Sequence, residues 1–86
     1  MAVIPYSQVE LMRSRRKISN ALRSNNWREV KKADLVLADR LKSASDDPQR
    51  NTMALLTEVG EIVHLYKDLV DICKLEARKL VRELNR

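Results

Sequence analysis

Eighty-six residues with 44% hydrophobic and 34% charged content make one thin domain, since a chain this short buries only about 60–65% of the surface its unfolded form exposes. The single Gly, two Pro and absent Phe leave few turns and few β-formers, so an all-α fold is expected over residues 1–86. The lone Cys73 excludes an internal disulfide, and one Cys with one His excludes a structural zinc site; no cofactor is expected.

The N-terminal stretch has neither a signal-peptide core nor a cleavage-like segment, and no run approaches the roughly 18 apolar residues that cross a bilayer, so a cytoplasmic protein without membrane insertion is expected. The net charge of +5 is unevenly spread. Residues 1–32 hold eight Lys/Arg against two acids, residues 33–73 four against eight, and residues 74–86 five against two. A chain basic at both ends and acidic in the middle can pair with itself, with another copy, or with an external anion.

The first helix is expected over about residues 5–24. Ser7 and Glu10 match a capping box, and Ile4, Leu11, Ile18 and Leu22 form its apolar stripe. Arg15 interrupts that stripe, with its stem packed and its head in water. Arg13, Arg15, Arg16 and Lys17 form a basic tract that reads as a solvated helix face, with Arg13, Arg16 and Lys17 open to phosphates but without accompanying side chains suited to reading bases.

The second helix is expected over about 27–44, opened by Asn26 with Glu29 three residues on. Trp27, Val30, Asp34, Leu37, Leu41 and Ala44 repeat at steps of three and four, leaving Leu35 on the flank and Val36 on the opposite side. Trp27 reads as a packing anchor.

Ser45-Asp46-Asp47-Pro48 is a break and restart, with Asp47 as cap and Pro48 at the first helical position. A third helix of about 37 residues, roughly 55 Å long, then runs over about 48–84. Gly60 weakens it by about 1 kcal/mol, for a close helix crossing or a slight bend. The short connectors give an antiparallel three-helix assembly, a helical hairpin with a long third helix.

That helix is apolar on more than one stripe. Val59, Tyr66, Cys73 and Leu80 recur every seven residues, and Val63, Val70, Ala77 and Leu84 follow four later. Leu55, Ile62, Leu65, Leu69 and Ile72 widen the surface beyond the ~100° that an ordinary core-facing helix needs. Packing against both shorter helices accounts for most of these side chains. The remainder is expected to stay open to another chain, with Leu55, Ile62, Leu65, Leu69 and Ile72 joined by Leu35 and Val36 as the partner-binding set. A homodimer is expected because the third helix overhangs its neighbours.

Cys73 reads as a buried small hydrophobe, His64 as solvated or interfacial, and Tyr66 as core with its hydroxyl at the edge. Asp68 and Asp71 read as a solvated face rather than an acid/base pair. With no Gly-rich loop, metal set or nucleophile–base pair, an enzyme is not expected.

The order of features resembles the flagellar export chaperone family FliT. The resemblance rests on Asn26-Trp27 opening the second helix, Leu55-Leu56, Tyr66-Lys67-Asp68-Leu69-Val70, Cys73-Lys74-Leu75-Glu76, and Leu80-Val81-Arg82-Glu83-Leu84, spanning about residues 10–84. It implies a cytoplasmic type III export chaperone that holds the filament-cap protein and contacts export-apparatus or regulatory proteins. Relatives often carry a further C-terminal segment that folds over the client surface; the sequence here ends at Arg86. The alternative is a small basic nucleic-acid-binding or transcription-regulatory helical protein.

Overall fold

The computed structural model describes residues 3–85. It is all-helical, with α1 (Tyr6–Arg23), α2 (Trp27–Asp46) and α3 (Thr52–Leu84). The α1–α2 turn is set by a left-handed residue, Asn25 (φ 54°), a conformation Asn tolerates better than most side chains. The Asn25 N–H donates to the Leu22 carbonyl (3.1 Å) and that of Asn26 to the Ala21 carbonyl (2.9 Å), the paired bonds of a Schellman stop. Asn26 then caps α2 as expected, its side chain accepting from the Glu29 N–H.

The other two helix starts differ from expectation. Pro5 occupies the N-cap of α1, so Ser7 lies inside the first turn; its hydroxyl donates to Asp47 Oδ2 at 2.6 Å, and Glu10 pairs instead with Arg13. Both oxygens of Asp47 are thereby engaged, because Oδ1 accepts from the Gln49 N–H in an Asx turn. Asp47 therefore ends α2, Pro48 stays in the connector, and α3 begins four residues later than its first expected position, with Asn51 as N-cap accepting from the Ala54 N–H. The Ser7 hydrogen bond, and after it the Gln49 N–H, hold the Asp47 carboxyl below its ordinary value.

The core is Leu11, Ile18 and Leu22 from α1, Val30, Leu37 and Ala44 from α2, and Ile62 and Leu65 from α3. The α1–α2 hairpin supplies most of it, and α1 packs far more closely on α2 than on α3. Small side chains at the α1–α2 seam (Ser14, Ala21 and Ala33) allow that approach.

α3 is attached by a narrower apolar strip and by polar ties. Arg15 Nε donates to both carboxylate oxygens of Glu58 (2.6 and 2.9 Å), so its head is held against α3 rather than in water. Gln8, 2% exposed, exchanges two hydrogen bonds with the Asn51 backbone. The Tyr66 hydroxyl donates to Asp34 of α2. Gly60 is not at a close crossing, since a Cβ built there meets nothing within 4 Å.

At 33 residues, about 50 Å, α3 is much longer than the 18- and 20-residue helices beside it. It sets the long dimension of a molecule 59 × 20 × 19 Å across. Because the start of α3 is tied beside the start of α1, the excess length projects past the α1–α2 turn.

Candidate functional site: an apolar row on the long helix

The hairpin covers one face of α3 and leaves a neighbouring one bare. Ile62 and Leu65 are buried, and Leu55, Leu69 and Ile72 are half-buried against the same core. Ile62 and Leu65 thus hold the fold together and are not open to a partner, a correction to the sequence reading. The bulkiest Leu/Ile row is the one that gains most from burial, and the hairpin takes it. Leu35, strongly exposed, sits apart from these residues on α2, and Val36 lines the cleft between α1 and α2. The expected set therefore does not converge on one groove.

The bare face carries the smaller row. Leu56, Val63 and Val70 are 61%, 62% and 50% exposed, and Leu84, at the same heptad position, is 75% exposed. Residues seven apart on a helix share a face. Ala77 completes the row, and Leu80 (57%) and Val81 (55%) border it. From Cys73 to Asn85 every residue is exposed, so beyond the hairpin both the row and the continuation of the packed stripe face solvent. The sequence displays this heptad, but periodicity alone does not say which of two adjacent stripes a neighbour covers.

Beside the row, Trp27, Val30, Lys31 and Asp34 of α2 and Tyr66, Leu69 and Cys73 of α3 form a shallow, mostly apolar groove. Leu69 is the only one of the expected partner-binding residues to line it. Trp27, 40% exposed, stands at its end rather than inside the core. Cys73 is exposed, contrary to the buried position expected, because it lies where the hairpin stops. Tyr66 is half-buried as expected; burial, and then the Asp34 carboxylate, push its hydroxyl from 10.0 up to about 12.

The charged groups are arranged around this face. Lys67, Lys74 and Arg78, all exposed, follow one another at steps of seven and four along its outer edge. Of the basic tract on α1, Arg13 is paired with Glu10 and Arg15 with Glu58, while Arg16 and Lys17 are exposed. His64, Asp68 and Asp71 are exposed, with the two acids beside Ser19 and Arg23 in a separate depression against α1. Among the described residues no helix is long and apolar enough to cross a membrane, and no group of three or more His, Cys, Asp or Glu is placed to hold a metal ion. No family model, curated protein or solved structure matches the chain.

Proposed function

We propose that the chain is a non-enzymatic helical docking module that shields an apolar helical segment of a client, in the manner of a cytoplasmic flagellar export chaperone. One observation carries the reading: the row Leu56, Val63, Val70 and Leu84 stays in water and continues past the hairpin. Contiguous exposed apolar surface on a small protein marks an interaction site more often than chance exposure does, and a helix laid along such a row is an established recognition mode.

Burying about 500 Å² of apolar surface gains at most about 12 kcal/mol gross. Association and ordering remove much of this, leaving binding of about micromolar strength. That suits a chaperone, which must release its client. The flagellar client itself rests on the resemblance in the sequence.

The test is titration of purified filament-cap protein into the wild type and into Val70→Glu, followed by calorimetry. Heat of binding with the wild type and none with the variant is expected, with the far-UV circular dichroism of the two proteins the same. Equal binding by both would remove the row as the site, and no binding by either would remove the flagellar client. The nucleic-acid reading loses ground because two members of the α1 basic tract are already paired with carboxylates. A gel shift at low salt that vanishes as salt rises would restore it.

A further inference from the structure

We propose that the occupant of the α3 row is an amphipathic helix whose flank carries carboxylates, selected by the basic rail Lys67, Lys74 and Arg78. This rests on the docking reading above and adds the chemistry of the partner. Lys67 and Lys74 each stand four residues after a member of the row, Val63 and Val70, and Arg78 stands four after Lys74. Residues four apart are neighbours on a helix surface, so the three cations form one line alongside the apolar side chains. A helix docked on Val63, Val70 and Leu84 brings one of its own flanks next to that line, as the flanking positions of paired helices do.

The rail keeps an excess of positive charge, three cations against the one adjacent carboxylate of Asp71. Among the described residues, the ion pairs are Arg13–Glu10, Arg15–Glu58, Lys32–Glu29 and Lys79–Glu76, and none includes Lys67, Lys74 or Arg78. The acids Glu61 and Asp68 fall elsewhere on the helix, and Glu76 and Glu83 lie on the opposite side of the row; Asp71, four residues after Lys67 and three before Lys74, borders the rail without forming an ion pair to either.

The same arrangement selects against a second copy. Laid antiparallel on the row, another α3 would set the two basic rails side by side. Laid parallel, it would set each rail against the stripe holding Ile62 and Leu69, which the hairpin already covers. A partner with acids along one flank meets neither obstacle.

Two synthetic helices of about three heptads test this, with the same Leu/Ile seam but flanked by Glu in one and Lys in the other. Fluorescence anisotropy with the full chain is expected to show the Glu-flanked helix binding about tenfold more tightly at low salt, three surface ion pairs' worth. The gap should narrow as salt screens the pairs. The triple variant Lys67→Glu, Lys74→Glu, Arg78→Glu is expected to reverse the preference, and Val70→Asp to abolish binding of both helices while circular dichroism stays unchanged.

Equal affinity for the two helices would overturn the charge selection yet leave the docking reading standing. Unimpaired binding by Val70→Asp, or no binding by the wild type, would sink both. A concentration-dependent dimer in sedimentation that the Glu-flanked helix fails to dissociate would assign the row to a second copy and overturn the proposal.

Discussion

The two halves of α3 are similarly rich in apolar residues and have opposite fates. Up to Ile72 the helix lies on the hairpin, with Ile62 and Leu65 buried and Glu58 and Tyr66 tied to Arg15 and Asp34. From Cys73 onward it is exposed on every side, although Leu75, Leu80, Val81 and Leu84 are as apolar as what precedes them. Burial in this protein is thus decided by where the neighbours end. An apolar side chain stabilises the fold only if something covers it, so Ile62 and Leu65 contribute to stability while the exposed apolar side chains of both halves contribute little.

The largest effect that would sharpen this contrast comes from the core under the first half. Ile18→Ala removes a fully buried side chain and is expected to cost about 3–4 kcal/mol in urea unfolding. Arg15→Ala follows at about 3 kcal/mol, the lower end for a buried pair, because it strands the 5%-exposed Glu58 while Arg15 itself retains some solvent contact. A loss below about 1 kcal/mol in the same assay would mean that the tie behaves as a surface pair.

Tyr66→Phe deletes the hydrogen bond to Asp34 and is expected to cost about 1–2 kcal/mol. The same bond predicts an alkaline transition. The folded-state hydroxyl titrates at about 12 against 10.0 for the free group, so its stabilisation is complete below pH 10 and is lost as pH rises toward 12. Tyr66→Phe should flatten that part of a stability-versus-pH curve, and an unchanged curve would contradict the assignment. On the acid side Asp47 behaves oppositely: its lowered value contributes stability above 3.8 that disappears as pH falls through the folded-state value, an effect Ser7→Ala should reduce.

Smaller still is Gly60→Ala, expected to stabilise by about 0.5–1 kcal/mol because the added methyl meets no atom and the helix loses a flexible residue. A loss instead would show that something packs at Gly60 in solution. At the bottom of the scale, Leu84→Ser in the overhang should shift stability by no more than about 0.5 kcal/mol, because its 75%-exposed side chain has little contact to lose. If Leu84→Ser cost as much as a core substitution, the second half would already be covered in the isolated protein, and the contrast between the halves would fail.

Much of the architecture was legible in residue order. The three helices, the break near Ser45–Pro48, the Asn26 cap and the buried positions Leu11, Ile18, Leu22, Val30, Leu37 and Ala44 follow from periodicity and capping chemistry. The candidate site was less legible. Both apolar stripes of α3 are visible in the sequence, and the choice of Ile62 and Leu65 as partner-binding fell on the stripe that the hairpin covers.

Local sequence determined where helices form and which of their faces are apolar, because backbone capping and the 3.6-residue repeat act over a few residues. Tertiary structure alone decided that Ser7 binds Asp47 instead of capping its own helix, that Arg15 reaches Glu58 43 residues away, and that Val63 and Val70 face solvent while Ile62 and Leu65 do not. The physical reason is distance along the chain. These outcomes depend on which helix arrives beside which and how closely their side chains let them approach, and no short stretch of residues encodes either.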